Sequence, residues 1–579
     1  MTAALRVPNA FRSWLRGGEP GLVALALPVG AASGLLAAAM GGAAHGLHAL
    51  LFDAGGGLSA ARGLDPLGVL LLPALGGLVL GLLNLGIGRW RPRPPVDPIE
   101  ANALHGGRMS LLDGVVVAAQ NILSNGFGAS VGLEAGYTQA AGGVASRVGR
   151  ALGLRRGDLR VLVGCGAAGA IAAAFDAPLT GAFYAFELVI GTYAIASLAP
   201  VVAASVAAVL TARLLHGATY SVQPGGIGAP DAYGYALVVV LALLCAAAAI
   251  ALMRGVGAVE ETMKSAIARS WLRPVVGGLG VGVLALLSPG VLSAGHGALH
   301  LAFNTEGPVR AALLLLVLKA AASALSLGSG FRGGLFFASL LLGALLGKVF
   351  AVLPPLLGLE QVDSLFLAVV GMSAFGTAVV GAPLAMTFLA LESTGNLSVV
   401  GAVLTAVAVS GLVVRRTFGY SFATWRFHLR GETIRSAHDV GWLRDLTVGK
   451  LMRRDVRTVR TDLKLSSFRR EFPLGSTERV VALNDAGCYA GLLSVPEAHA
   501  FETSAETVAG LLRETDRFLL PAVNARDAMA AFDAAEAEAL AVLDGAESRQ
   551  LLGLLTAGHV LRRYGEEVDK RRQEEAGLM

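Results

Sequence analysis

Long uncharged apolar stretches constrain this chain more than anything else in it. Gly21–Phe52, Leu67–Leu83 and Ala236–Met253 hold no Asp, Glu, Lys or Arg, while Ala194–Leu215 and Ala311–Leu327 hold one cation each, Arg213 and Lys319. A bilayer core of about 30 Å is crossed by about 20 apolar residues of helix, so several of these runs are candidate spans. The charge lies elsewhere. Residues 1–435 carry 27 Lys and Arg with 18 Asp and Glu, whereas residues 436–579 carry 19 and 23. A membrane body, 1–435, a linker, 436–445, and an acidic soluble region after it make the simplest organisation. The net charge of +5 is then loop charge of the positive-inside kind, not a nucleic-acid surface. The 76 glycines show no Gly-X-Y period and suit helices packed through small residues. Cys165, Cys245 and Cys488 are too scattered for a disulfide framework or a zinc site. Arg6, Arg12 and Arg16 precede an apolar run longer than a signal-peptide core, so Met1–Phe52 reads as an inward-facing end leading into the first span.

Other apolar stretches, Val161–Ala174, Leu179–Ile190, Leu335–Leu346 and Phe366–Val380, are short and bounded or interrupted by Gly or Pro. They predict the broken helices that transporters place around a midplane site. An internal repeat supports this. Ala177-Pro178-Leu179 is followed eight residues on by Glu187, and Ala382-Pro383-Leu384 eight residues on by Glu392. Upstream of each lies a Gly-rich segment, Gly126–Gly136 in the first half and Gly328–Phe337 in the second. The expected fold is an all-α polytopic membrane protein with inverted repeats and broken helices, joined to a C-terminal α/β region.

The Gly-rich segments carry the chemistry. A helix that starts inside the membrane points free N–H groups and its positive dipole end at whatever lies there. That is an anion site without a full positive charge, and glycine ahead of it lets the backbone approach the ion. Glu134 is the only acid between Asp113 and Asp158. An ionisable group in such a segment is costly and functional by default. At a helix start its carboxylate would occupy the anion seat when charged and leave it when protonated, acting as gate and proton carrier together. The other reading is a carboxylate in a surface loop.

These residues, in this order, resemble the CLC family of chloride channels and proton-coupled anion transporters. Gly132–Gln139 resembles the segment that bears the family's external gate Glu. Gly334-Leu335-Phe336-Phe337-Ala338 resembles G-x-F-x-P, Phe175–Glu187 resembles the F-[ND]-A-P-L-x-G helix, and Phe418–Ser421 resembles the segment whose Tyr contacts the central anion. The resemblance covers most of residues 20–435. It implies movement of small inorganic anions, as a voltage-gated channel or a proton antiporter, through a homodimer embedded in the lipid of a cell inner membrane. It makes Glu134 the gate and proton acceptor, and Pro95, Val96, Gly132, Leu335, Phe336 and Tyr420 the anion-binding residues, with helix starts near Pro95, Glu134 and Phe336. The family's first anion motif, G-S-G-[IL]-P, has as its counterpart Pro94-Pro95-Val96-Asp97-Pro98, so Pro95, or Pro94 with a one-residue slip, stands at the Ser position, and in both alignments the side-chain hydroxyl is missing. In some plant members Pro there accompanies a preference for nitrate, which adds nitrate to chloride as an expected substrate. The internal proton-handling Glu of many antiporters, one residue after the position of Glu187, is here Leu188, and channel and exchanger both stay open.

The C-terminal region resembles a pair of CBS domains, 446–503 and 504–579, each of βαββα pattern. Strands are expected at Arg479–Leu483, Ala490–Ser494, Phe518–Leu520 and Leu552–Thr556. No cofactor is required; the resemblance allows an adenine nucleotide at Ser494, Glu497 and Thr556, with His559 at the second acid position, and a purely structural or dimer-forming pair is the other reading. Arg415, Arg416, Arg426 and Arg430 after the last apolar run place this region in the cytoplasm.

Enzyme and metal readings find little. His45 with His48, and His296 with His300, have helix spacing but no third ligand and read as packing or interface residues. Gly128-Ala129-Ser130-Val131-Gly132 spells Gly-x-Ser-x-Gly without the strand that a hydrolase elbow needs. No catalytic residue and no metal is assigned. The alternative function is a CBS-regulated divalent-cation channel, which would need acids or carbonyl rings along its pathway.

Overall fold

A computed structural model of the chain describes residues 18–54, 57–61, 63–91, 93–216, 230–304, 308–429, 446–500 and 507–575. Arg6, Arg12, Arg16, Arg430 and the expected linker 436–445 lie outside the described residues. Two compact units, 1–438 and 439–579, divide the chain.

The described part of the first unit is built of helices, and sixteen of them form two sets of eight in the same order. The first set is α1 Glu19–Phe52, α2 Pro66–Trp90, α3 Pro98–Leu104, α4 Leu111–Gly126, α5 Glu134–Ala151, α6 Arg156–Phe175, α7 Pro178–Tyr184, prolonged as a π-helix to Ile190, and α8 Ile195–His216. The second is α9 Ala232–Ala266, α10 Arg273–Leu287, α11 His296–Asn304, α12 Val309–Ser329, α13 Phe336–Phe350, α14 Ser364–Val380, α15 Pro383–Thr394 and α16 Val400–Thr417; α17 Phe422–Leu429 follows. Among the described residues nine helical segments are long and apolar enough to cross a membrane. One of the four stretches expected to be broken is not short: Val161–Ala174 lies inside the 20-residue α6. Leu335–Leu346 covers the N-cap and most of the 15-residue α13, which a four-residue helix, Leu353–Leu356, follows. α6 is mostly packed inside protein, so its ends need not be apolar, and an apolar window underestimates its length. The Leu179–Ile190 and Phe366–Val380 stretches do stay short, as Pro178–Ile190 and Ser364–Val380.

Equivalent helices of the two halves meet reciprocally. On α2, a Cβ at Gly77 or Gly81 would strike the carbonyl of Pro274 or Trp271; on α10, one at Gly278 or Gly282 would strike that of Pro73 or Leu70. Two small-xxx-small pairs thus let the helix backbones touch. The repeated acids do the same at α7 and α15. Glu187 accepts from the amides of Leu384 and Ala385 at 3.0 Å each. Glu392 accepts from those of Leu179 at 2.7 Å and Thr180 at 2.9 Å, and from the Thr180 hydroxyl at 2.7 Å. Such exchange of identical contacts is what a two-fold relation produces. The Glu of each Ala-Pro-Leu…Glu element caps the helix start of its counterpart, where proline lacks an N–H and the following amides need acceptors.

The described part of the second unit opens with α18 Val448–Leu451. It then repeats one pattern: β1 Thr458–Arg460, α19 Leu465–Glu471, β2 Arg479–Leu483, β3 Tyr489–Ser494, α20 Val495–Ala500, and β4 Phe518–Leu519, α21 Ala525–Ala535, β5 Ala539–Leu543, β6 Leu551–Thr556, α22 Ala557–Glu575. In each sheet the first pair is parallel and the second antiparallel, with a register shift near the end of the middle strand. Within the second unit, the two repeats exchange leading segments. Val448 N donates to Val523 O and Ala525 N to Leu446 O, both at 2.8 Å, and Val448 and Leu451 are buried with Leu519 and Phe532. Conversely, Leu492 and Arg513 bond each other's backbone at 2.8 Å. Each sheet is thus partly covered by the segment that leads into the other repeat.

Candidate anion-binding site

α5 starts at Glu134 and α13 at Phe336, and neither is capped by the side chain of its N-cap residue, Leu133 or Leu335. The loops leading to them are joined by Gly132 N to Gly334 O at 3.0 Å and Gly334 N to Gly132 O at 3.2 Å. Two helix starts, one from each half, are thereby held together.

Glu134 reaches across this junction. It is 5% exposed, and its Oε1 accepts from the Phe337 amide at 3.1 Å. Its Oε2 has no hydrogen-bond partner among the described residues, a marked exception to the rule that buried polar atoms are paired. A carboxylate of one half thus sits where the helix start of the other half offers an anion seat. Gly132 makes room for it: a Cβ there would overlap the Glu134 carboxylate.

A cavity of about 970 Å³ reaches Glu134 and is lined by Pro95, Asp97, Ala135, Tyr184, Leu335 and Phe336, among others. Of the residues expected to bind the anion, Pro95, Leu335 and Phe336 are in this wall and Val96 and Gly132 are not. The Val96 carbonyl accepts from Gln139 Nε2 at 2.8 Å. Tyr420 is also outside the wall. Its hydroxyl lies 3.2 Å from His428 Nδ1, and its ring stacks on that imidazole with centroids 4.6 Å apart. α17 carries His428 two turns after Tyr420, and this local stacking directs the ring. The tyrosine in the wall is Tyr184, whose hydroxyl bonds Thr138. It lies within the Phe175–Glu187 segment, but nothing local marks which of its side chains faces α5.

In the first anion segment α3 starts at Pro98, three residues after Pro95, and Asp97 Oδ1 accepts from Glu100 N at 2.9 Å. An Asp followed by Pro is a helix cap with its first helical residue. The wall here has three prolines without an N–H and a carboxylate that has already taken one amide. Asn102, buried, fixes α3 by donating to Arg160 O at 3.0 Å and Val189 O at 2.8 Å.

Polar side chains passed over in the sequence hold the junction from behind. Asn121 lines the cavity on α4. Ser130 bonds Ser323 Oγ at 3.0 Å and receives its amide's acceptor from Ser326. One face of α12 carries these serines and Lys319, fully buried, which donates to Val291 O at 3.0 Å and Ser293 O at 2.7 Å. The signal was Gln120, Asn121, Ser124 and Asn125 within one helix. The histidines pack: His48 bonds Asn125 O at 3.0 Å and His296 stacks on Phe337 at 3.5 Å. Among the described residues no three His, Cys, Asp or Glu side chains gather as a metal site.

A family model described as voltage gated chloride channel matches residues 76–415. The chain belongs to the CLC family. Among its CLC relatives, the voltage-gated ClC-type chloride channel ClcB of Escherichia coli strain UMN026 is 32% identical over 402 residues, 66% of this chain and 94% of the relative. Solved structures share the CLC fold. A slow cyanobacterial Cl−/H+ antiporter matches with a TM-score of 0.63 at 21% identity, over 71% of this chain and 97% of that one. A eukaryotic CLC transporter matches with a TM-score of 0.59 at 17% identity, over 93% of this chain and 97% of that one, so the likeness of fold extends into the second unit. CLC proteins are channels or transporters rather than enzymes, and this one is a multi-pass membrane protein.

In the second unit, Ser494 Oγ is 3.4 Å from Glu497 N, and Glu497 pairs with Arg513 at 3.5 Å. Thr556 ends β6 on an exposed edge. His559 stands at the second acid position, and an imidazole, neutral or protonated, supplies no negative charge there; partial burial and the neighbouring Arg562 hold it below the ordinary imidazole range.

Proposed function

We propose that this CLC protein moves small inorganic anions, chloride and nitrate among them, across a cell inner membrane, with Glu134 as gate and proton acceptor. The observation that supports this most is the Glu134 carboxylate on the Phe337 amide: a tethered anion in the seat that a free anion would take. When Glu134 is charged the seat is filled; when it is protonated the charge-assisted bond is lost and an anion replaces it. Family membership, and helix starts that offer amides, disfavour the divalent-cation channel. A chloride and proton flux assay in liposomes reads the mode: in an exchanger, imposed chloride flux drives protons the opposite way, and in a channel it does not.

Selectivity follows from the donors in the wall. Pro94, Pro95 and Pro98 give none, and Asp97 adds negative charge. Loss of donors from this one segment, while the amides at the α5 and α13 starts remain, penalises a small, strongly hydrated anion more than a larger, weakly hydrated one. Nitrate is expected to compete with chloride at least equally. Pro95→Ser, which restores a hydroxyl, should move preference toward chloride. One hydrogen bond to a charged group contributes ~1.5–3 kcal/mol, so a change of about tenfold in relative permeability is expected. Paired chloride and nitrate fluxes check it; a wild type that strongly prefers chloride and is unchanged by Pro95→Ser would remove the reading.

The protein is read as a homodimer with one pathway per subunit and with the second unit, as a CBS pair, in the cytoplasm. A single-subunit mass in nanodiscs, or cleavage of that unit by protease added outside intact cells, would contradict it. An adenine nucleotide at Ser494, Glu497 and Thr556 is a subsidiary reading that the Glu497–Arg513 pair competes with; calorimetric titration of the full chain with ATP decides it.

A further inference from the structure

Asn121 on α4 is fully buried and uses its whole amide. Nδ2 donates to Gly132 O and to Arg332 O, each at 3.0 Å, and Oδ1 accepts from Gly136 N at 2.7 Å. Two carbonyls face the NH2 and one N–H faces the oxygen, so the amide has one acceptable orientation. Gly132 precedes α5, Arg332 precedes α13, and Gly136 is the third residue of α5. One side chain therefore ties both loops that end at the anion seat and the first turn of the gate helix.

This arrangement has two effects. α5 has no cap from its own N-cap residue, and Asn121 caps it from a different helix. In doing so it removes the Gly136 amide from the set an anion can use. The Glu134–Phe337 bond, in addition, joins the two halves, so its quality depends on the spacing of the two loops. The Gly132–Gly334 backbone pair and Asn121 set that spacing. Ser124 Oγ accepts from Arg332 N at 3.0 Å and Asn125 Nδ2 donates to Val131 O at 2.8 Å, each holding one loop to α4; among the described residues Asn121 is the α4 side chain that bonds both, and a substitution can remove it.

We propose that Asn121 is a positioning residue that latches the two helix starts together and sets how firmly the Glu134 carboxylate closes the pathway. The proposal rests on the reading of Glu134 as the gate. Without the latch the Glu134 carboxylate meets the Phe337 amide less well, and anions displace it at pH values where it is still charged. A residue that only stabilised the fold would alter yield and melting temperature and leave the shape of the pH profile alone.

The test compares chloride flux in liposomes at acid and alkaline pH for wild type, Asn121→Leu, Asn121→Ser, Glu134→Gln and each double variant, with melting temperature as the fold control. Asn121→Leu keeps the bulk without hydrogen bonds, and Asn121→Ser is a smaller polar replacement in case Leu does not fold. Alkaline flux should rise about fivefold in either, within the coupling expected of contacting residues, and the acid-to-alkaline ratio should fall by the same factor. In the Glu134→Gln background neither substitution should change that ratio. If Glu134→Gln abolishes the pH response while both Asn121 variants keep the wild-type ratio, the latch is wrong and the gate stands. If Glu134→Gln itself keeps the response, the gate reading fails and takes the latch with it. Failure of both Asn121 variants to fold would assign the residue to stability alone and overturn the proposal.

Discussion

Glu134→Gln is expected to leave anion flux in place and to remove its dependence on pH. In the wild type the charged carboxylate accepts from Phe337 N and fills the seat; the protonated group loses the charge that makes the bond strong. Flux should therefore be high on the acid side and fall as pH rises. Gln is neutral at every pH and should hold flux at the acid-side level throughout. A hydrogen bond to a charged group contributes ~1.5–3 kcal/mol, which predicts a gain of about 10- to 150-fold at alkaline pH. In an exchanger, the same substitution should stop proton movement while anions continue to flow. Chloride efflux from liposomes across a pH series measures both, and a variant that keeps the wild-type pH response would rule out Glu134 as the gate.

Gly132→Ala should open the gate by crowding rather than by charge. Gly132 is not in the left-handed region, so alanine can adopt its backbone conformation. The added Cβ, however, overlaps the Glu134 carboxylate. Either the carboxylate leaves the Phe337 amide or the loop shifts. Alkaline flux should rise toward that of Glu134→Gln, and the Gly132→Ala/Glu134→Gln pair should show no further gain. Overpacking typically costs ~1–3 kcal/mol, so a modest drop in melting temperature should accompany the change. Flux and pH response equal to wild type in a folded Gly132→Ala protein would show that the carboxylate does not need this space. Such a result would count against the observed closed geometry even if Glu134→Gln behaves as expected.

Some of this was legible before any coordinates. The apolar runs gave the membrane unit because apolar length is a local property that the bilayer reads directly. The Ala-Pro-Leu…Glu pairs announced two halves, since proline marks a helix start wherever it falls. Glu134 stood out because an acid without neighbours of its kind needs a reason to be there. Four of the six described strands of the second unit were visible as short apolar runs with turns between them; β1 and β5 were not singled out. Two details near those motifs come from local chemistry. Tyr420 lies in a segment that resembles the family's, and its hydroxyl lies 3.2 Å from His428 Nδ1. α3 starts at Pro98, close to Pro95, because Asp97 followed by Pro is a helix cap.

The remaining features could not be read locally at all. Local pattern determines that α5 starts near Glu134 and α13 near Phe336. It does not determine that the carboxylate of one meets the second amide of the other, 203 residues away. Nor does it show that Tyr184 lines the cavity, that Asn121 ties both loops, or that each half's Glu caps the other half's helix. Helix periodicity and caps depend on neighbours within a turn or two along the chain. Contacts between halves depend on how closely two helix pairs can approach, and here glycines on α2 and α10, spread over some 200 residues of sequence, decide that approach. The sequence by itself thus determined the parts and their polarity, and only the packing of the two halves decided which donor faces which acceptor.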